Sequence, residues 1–107
     1  MPTKSFQVDI TRSAEKDVEE IWTYIAVDSP NEATKFIFKL EEQVSTLKRF
    51  PFRCLLIPEN AILGTENRHL LYGNYRTIFR ISGKTVHVLR VIHGSRLLDA
   101  SMFEIRA

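Results

Sequence analysis

Hydrophobic residues follow two different periods in the first half of the chain. Apolar and polar residues alternate over residues 5–10, which predicts a short β-strand. Apolar side chains then recur every three or four positions, which predicts a helix capped by the hydroxyl of Thr11 or Ser13. The stripe predicted to be buried is Ala14, Val18, Ile21, Trp22, Ile25 and Ala26.

A second helix is predicted to begin at Ser29. Ser29 and Glu32 have the spacing of a capping box, and Pro30 suits a first turn in which its missing N–H is not needed. Pro51 is expected to end this helix. Because the connection between the two helices is so short, they should form an antiparallel hairpin. The second apolar stripe is Ala33, Phe36, Ile37, Leu40, Val44 and Leu47.

The hydrophobic period changes to two in the second half of the chain, which predicts three consecutive strands. Glycine comes first in both dipeptides that separate them, as two-residue hairpin turns favour. A three-stranded antiparallel meander is therefore expected. The strands are residues 67–72, 75–82 and 85–93, and the turns are Gly73-Asn74 and Gly83-Lys84.

The order of these elements predicts an α+β fold, in which a small antiparallel β-sheet carries the amino-terminal helical hairpin on one face. Residues 52–66 show no clear period and are interpreted as a strand plus a loop. The length of 107 residues fits a single domain spanning residues 1–107.

Composition excludes several classes of protein and site. No apolar run approaches the roughly 20 residues of a membrane span, so we expect a cytoplasmic protein that does not enter a membrane. The single Cys54 cannot form an internal disulfide or a zinc site with several thiolates. The histidines at 69, 87 and 93 lack acidic or cysteine partners at ligand spacing, so neither a metal nor another cofactor is expected.

Charge is divided unevenly along the chain. Residues 1–66 contain 8 basic and 11 acidic side chains, whereas residues 67–107 contain 7 basic and 2 acidic ones and all three histidines. The second half therefore suits an anionic partner. Alternatively, basic side chains protect the edge of a sheet against aggregation.

Two-residue turns fix the strand register, which assigns side chains to the two faces of the sheet. On this register Arg68 and Arg90 face the helices, so either they pair with helix glutamates or the register is wrong by one residue. The other residues expected to face the helices are Tyr75, Phe79, Ile81, Val86, Val88 and Ile92. The opposite face is expected to collect His69, Leu71, Arg76, Ile78, Arg80, His87, Leu89 and Val91, with His93 at its end.

A face that is half apolar and half cationic has two functional interpretations. It can be a docking surface for an amphipathic, acidic segment, or it can be a metal-independent site of RNA cleavage. In the second case arginines would bind the phosphate and a histidine would accept the proton of the 2′-hydroxyl. The predicted partner-binding residues are Arg76, Ile78, Arg80, His87 and Leu89.

Several motifs in succession extend the interpretation: DVEEIWTYIA, SPNEA, LKRFP, NRHLLYGNYRTIFRI and VHVLRVIHGSRLLDA. Together they cover nearly the whole chain, which resembles the RelE/ParE superfamily of toxins from bacterial type II toxin-antitoxin systems. The resemblance implies a small antiparallel sheet with a helical hairpin. It also implies a growth-arresting toxin that is neutralised when a cognate acidic antitoxin wraps a segment over its surface.

The resemblance also implies two possible targets. RelE-like members cut messenger RNA on the ribosome with basic strand residues and a late arginine and tyrosine, whereas ParE-like members inhibit DNA gyrase and lack that set. Here Asn67 and His69 stand where the nucleases have lysines, and Met102 or Phe103 stands where they have tyrosine. The ending HGSRLLDA is closer to the ParE-like branch.

The leading hypothesis is accordingly a ParE-like toxin that binds gyrase without being an enzyme. The alternative is a ribosome-dependent endoribonuclease, for which the resemblance implies Arg76 and Arg96, with His69 or His93 as acid or base. A third possibility is a family member without toxicity that only binds its partner.

Overall fold

A five-stranded sheet in the order β1-β5-β4-β3-β2 carries a helical hairpin on one face. The computed structural model describes residues 5–96, 98 and 102. This architecture confirms the predicted α+β fold, although β1 joins the otherwise antiparallel sheet parallel to β5. None of the described helices is long and apolar enough to cross a membrane. The elements are β1 (Gln7–Ile10), α1 (Arg12–Ala26), α2 (Pro30–Ser45), β2 (Leu55–Leu56), α3 (Asn60–Leu63), β3 (Arg68–Tyr72), β4 (Tyr75–Ser82) and β5 (Thr85–His93).

Both long helices begin at hydroxyl caps, as their sequences predict. The Thr11 hydroxyl accepts a hydrogen bond from the Ala14 amide at 3.2 Å, and the Ser29 hydroxyl accepts one from the Glu32 amide at 3.2 Å. The reciprocal hydrogen bond of the predicted capping box, from the Ser29 amide to the Glu32 side chain, does not form. The Ser29 amide donates to the carbonyl of Ile25 instead, because the chain turns directly out of α1.

The main core lies between the helical hairpin and the sheet. Trp22 is an exception to the predicted stripe, because it is 39% exposed and its indole N–H donates to the Thr34 hydroxyl at 3.4 Å. The prediction that Trp22 belongs to the core is therefore wrong. The buried residues of the main core are Ala14, Ile21, Leu40, Leu47, Phe79, Val86, Val88 and Val91.

The predicted register is confirmed for β3 with β4, and for β4 with β5 from the turn to the pair Phe79–Val88. A β-bulge follows, in which Leu89 has no partner and Ile78 lies opposite Arg90. The bulge is tied to the start of α1, since the Thr11 hydroxyl donates to the Leu89 carbonyl at 3.0 Å. A bulge inserts one residue into one strand and so reverses the faces of all residues beyond it.

Because of the bulge, the predicted faces of three residues are wrong. Val91 packs in the main core and Ile92 on the opposite side of the sheet, which is the reverse of the prediction. His93 lies opposite Tyr75, and the two rings are 5.5 Å apart between centroids. Because Tyr75 packs against the main core, His93 does not share a face with Arg76 as predicted.

Arg90 joins α1 to the part of β5 that extends beyond β1. Its guanidinium donates to both carboxylate oxygens of Asp17, at 2.7 and 2.8 Å. Asp17 also accepts the Val91 amide at 2.9 Å, an edge donor that β1 is too short to reach. Both alternatives for Arg90 therefore hold in part: the register is shifted by one residue, since Arg90 lies opposite Ile78 rather than Thr77, and Arg90 pairs with a helix carboxylate, Asp17 rather than a glutamate.

A second, smaller core covers the middle of the sheet on the side away from the hairpin. Ile57 and Leu98 are buried there against two sheet residues, Ile78 and Ile92. Leu63 from α3 and Met102 pack on the same cluster. The molecule therefore has three layers, in which part of the predicted docking face is covered by the chain's own segments.

Candidate functional site

The side chains of β3, β4 and β5 that point away from the helical hairpin form the outer face of the sheet. Strand pairing places His69 opposite Ile78, Leu71 opposite Arg76, and Arg80 opposite His87, as predicted. The outer face has a buried part and exposed parts. Its middle is buried under the second core, whereas Leu71 and Arg80 at its margins are exposed.

Arg76 occupies the buried middle of the outer face and is already bound to a carboxylate. Its side chain is 6% exposed, and Nη1 and Nη2 donate to the two oxygens of Glu59, which directly precedes α3. Nη2 also donates to the carbonyl of Arg96 at 3.0 Å. The hydrogen bond from Arg76 lowers the pKa of Glu59, which keeps this carboxylate ionised.

His69 lies on the same face as Arg76, one strand away. Burial lowers the pKa of His69, and the positive charge of Arg76 lowers it further. The Nδ1 atom of His69 is buried and has no hydrogen-bond partner among the described residues. A neutral imidazole cannot supply the positive charge of the lysine that RelE-like nucleases are expected to have at this position.

Asn67, the other position that departs from the nuclease pattern, has a structural role. It is 2% exposed, and its amide donates to the side-chain oxygen of Asn60 at 3.0 Å. The side chain of Asn60 donates in turn to the Asn67 carbonyl at 2.9 Å, and the Ile57 amide donates to the same carbonyl. These contacts hold the segment that carries Glu59 against the end of β3.

The remaining candidate catalytic residues do not converge on Arg76. Arg96 is exposed and contacts Arg76 through its backbone carbonyl rather than through its guanidinium. The Nδ1 atom of His93 lies 2.7 Å from the Ser95 hydroxyl, near Tyr75 and away from the outer face. Met102 packs on the second core, and Phe103 lies outside the described residues.

The predicted partner-binding residues are split between the buried and the accessible parts of the outer face. Arg76 and Ile78 are buried, and Leu89 is only 6% exposed, whereas Arg80 is exposed and His87 is half-buried. Arg80 and Leu89 line a concavity of about 830 Å³ at the margin of the sheet. Other residues that line this concavity are Phe52, Leu56, Asn60, Glu66, Asn67 and Arg68.

A group of aromatic and basic residues that were not predicted as a site lies in part within this concavity and in part beside it. Phe50 and Phe52 are 52% and 61% exposed. The guanidinium of Arg53 lies 5.5 Å from the Phe50 ring centroid, and that of Arg68 lies 5.3 Å from the Phe52 centroid. The interleaved run Lys48–Arg53 is a sequence signal that could have identified this surface.

Glu59 was also missed, for a different reason. It lies 17 residues from Arg76 in the chain, within a segment that shows no hydrophobic period. No local pattern therefore indicates the pair. Among the described residues, no three His, Cys, Asp or Glu side chains are grouped so that they could hold a metal ion.

Comparison with known proteins agrees with this fold. The chain resembles a chain of the chromosomal ParDE toxin-antitoxin system from P. aeruginosa, with a TM-score of 0.68 and 24% identity over 84% of this chain and 97% of that one. It also resembles a chain of the RelBE2 toxin-antitoxin complex from Mycobacterium tuberculosis, with a TM-score of 0.58 and 23% identity over 83% of this chain and 98% of that one. No curated protein matches the chain.

Residues 8–98 match the model of a family described as the ParE toxin of the type II toxin-antitoxin system parDE. The match includes every helix and strand described above, except Gln7, the first residue of β1. It confirms the resemblance inferred from the motifs. The chain belongs to the ParE toxin family of type II toxin-antitoxin systems.

Proposed function

We propose that this toxin arrests growth in the cytoplasm by binding DNA gyrase, and that a cognate acidic antitoxin neutralises it. The observation that carries the proposal is the state of Arg76. The strand arginine that an RNA-cleaving relative would use is buried, and both of its terminal nitrogens are bound to Glu59. The choice of gyrase as the target rests on the resemblance to the ParE-like branch.

The rest of the outer face supports a non-enzymatic role. Cleavage of RNA requires cations and a proton carrier within hydrogen-bond reach of one phosphate. Here His69 is half-buried with a lowered pKa, His93 lies away from Arg76 beside Tyr75, and Arg96 contacts Arg76 through its backbone carbonyl. The alternative of a ribosome-dependent nuclease would require Glu59 to release Arg76.

A direct test compares the two target hypotheses in one purified preparation. We expect the toxin to inhibit supercoiling of relaxed plasmid by gyrase, and to leave ribosome-bound messenger RNA uncut when transcript ends are mapped. Arg76→Ala is the informative variant for the nuclease alternative. Cleavage within codons that disappears in this variant, with supercoiling unaffected, would overturn the gyrase proposal.

For the antitoxin, we propose that its acidic and apolar segment binds at the concavity beside Arg80. Arg80 offers an exposed guanidinium, Leu56 is 53% exposed, and the neighbouring Phe52 and Arg68 present a stacked aromatic and cationic pair. Among the described residues that line the concavity, the two cations Arg68 and Arg80 outnumber the one carboxylate, Glu66, and the sequence contains no further acidic residue between Asn67 and Leu98. This chemistry favours a peptide with carboxylates beside apolar anchors.

Reversal of one charge tests this surface. Arg80→Glu should weaken antitoxin binding by roughly 10- to 100-fold, because a like charge would face the partner's carboxylates. Lys39→Glu, an exposed substitution on α2 with the same change in charge, is the matched control. Equal losses of affinity in the two variants, measured by calorimetry, would place the antitoxin elsewhere.

A further inference from the structure

Arg76 and its surroundings have the construction of an anion-binding site. The guanidinium is held within the sheet, 6% exposed, and directs Nη1 and Nη2 at the two oxygens of one carboxylate. A guanidinium binds carboxylate and phosphate with the same pair of parallel N–H donors. The carboxylate of Glu59 therefore occupies positions that two oxygens of a phosphate group can also occupy.

Two polar atoms at this site are left without a partner by Glu59. The Nε atom of Arg76 and the Nδ1 atom of His69 are both buried and make no hydrogen bond to the described residues. His69 lies opposite Ile78, so it is a diagonal neighbour of Arg76 on the same face. The two oxygens of Glu59 accept from Nη1 and Nη2, and neither makes a hydrogen bond with Arg76 Nε or His69 Nδ1. A tetrahedral oxyanion has further oxygens that can accept from other donors.

We propose that the Glu59 carboxylate fills an oxyanion site formed by Arg76 and His69, and that Glu59 is the residue that keeps phosphate groups away from Arg76. The inference rests on the proposed function in one respect, that a toxin acting on a protein target has no use for a phosphate on this face. The ligands of this site would be phosphate monoesters or diesters. The single side chain of Glu59 decides whether they can bind.

The segment that carries Glu59 is anchored independently of the Glu59–Arg76 pair. Asn60 is hydrogen-bonded to Asn67 and to the Thr65 hydroxyl, and Ile57 is buried in the second core. Shortening the Glu59 side chain should therefore leave the backbone in place and open space directly against the guanidinium. A buried arginine without a counter-charge is unfavourable, which favours the entry of an anion.

The experiment measures inorganic phosphate binding to the full chain by calorimetry, at constant ionic strength in sodium chloride. We expect Glu59→Ala to bind phosphate at least about tenfold more tightly than the wild type, since the two Arg76 N–H donors now bound to Glu59 become free. Glu66→Ala, which removes one exposed carboxylate, is the matched control for net charge. The double variant Glu59→Ala/Arg76→Gln should lose the added affinity.

A second readout separates a binding site from a general effect on folding. Phosphate should raise the pKa of the His69 imidazole in Glu59→Ala, followed by NMR, and should leave the ring resonances of exposed His93 in place. If Glu59→Ala does not fold, Glu59→Gln removes the negative charge but still fills part of the site, and a smaller gain in affinity over the wild type is required of it. Equal phosphate affinity in the wild type and the folded variant would overturn the inference, whichever target the toxin proves to have.

Discussion

Asp17 shows how one carboxylate holds two layers of this protein together. It is 7% exposed on α1, accepts two hydrogen bonds from Arg90, and accepts the otherwise unpaired edge amide of Val91. The pairing with Asp17 raises the pKa of Arg90. Removing one member of a buried ion pair leaves the other charge without compensation, and here it also leaves an N–H unsatisfied.

Asp17→Ala should therefore lower the free energy of unfolding by about 3 kcal/mol. Glu19→Ala removes an exposed carboxylate from the same helix and should change it by less than about 0.5 kcal/mol. Urea denaturation followed by circular dichroism measures both values. Comparable losses in the two variants would show that the Asp17–Arg90 pair contributes nothing specific.

Because the pKa of Glu59 is lowered in the folded protein, we expect the free energy of unfolding to depend on pH. Its pKa lies below the ordinary value of 4.5 in the folded protein, mainly because Arg76 donates to the carboxylate. As the pH falls through this range, the unfolded chain takes up the proton first, so the stabilisation present above pH 4.5 is progressively lost. The stability difference between wild type and Glu59→Gln should thus shrink below this pH in urea titrations. A constant difference down to pH 3 would contradict this assignment.

At the scale of elements, the two hairpin turns have the same backbone conformation but different surroundings. Gly73 and Gly83 have φ values of +58° and +59°, a region that side-chain-bearing residues rarely adopt. A Cβ atom at position 73 would lie 3.3 Å from the ring of Phe36 on α2, whereas one at position 83 would meet nothing within 4 Å. Phe36 is itself packed against Tyr72 and Tyr75.

The pair of turns therefore provides a matched comparison. Gly83→Ala should cost about 1 kcal/mol, which is the strain of a left-handed alanine alone. Gly73→Ala should cost more, because the strain of crowding Phe36 is added. Thermal unfolding of both variants tests the order, and a larger loss in Gly83→Ala would show that α2 does not constrain the first turn.

For the whole molecule, the separation of charge along the sequence becomes a separation in space. Residues of the amino-terminal half supply both long helices, whereas the basic second half supplies β3, β4 and β5. The two long helices carry seven of the 13 acidic side chains, and the sheet margin around Arg80 carries more basic than acidic ones. Charged surfaces of this kind accelerate the encounter with a partner of opposite charge.

Association with the acidic antitoxin should accordingly be sensitive to salt. Raising sodium chloride from about 50 to about 500 mM should slow association by roughly tenfold or more, while dissociation changes by less than about threefold. Stopped-flow fluorescence of the mixed proteins measures the two rates. A salt effect carried entirely by dissociation would mean that long-range charge does not guide the encounter.

Local patterns were sufficient for most of the fold because the forces that they report are local. The caps at Thr11 and Ser29, the glycine turns and the period-two strands all depend on residues within a few positions of one another. The bulge at Leu89 was not predictable in this way. It depends on a contact with Thr11, which is 78 residues away, and it reassigns Val91, Ile92 and His93 to the opposite faces.

For the candidate site, too, some features follow from local sequence and others depend on distant contacts. The sequence alone determined that Arg76 lies on the face away from the helices and that the second half of the chain is basic, since strand alternation and composition need no tertiary information. Only the tertiary structure decided whether that arginine is free. Glu59 binds it from a distant segment, while Ile57 and Leu98 cover the neighbouring Ile78 and Ile92, because burying apolar surface on both sides of the sheet brings an ionisable pair together in the middle.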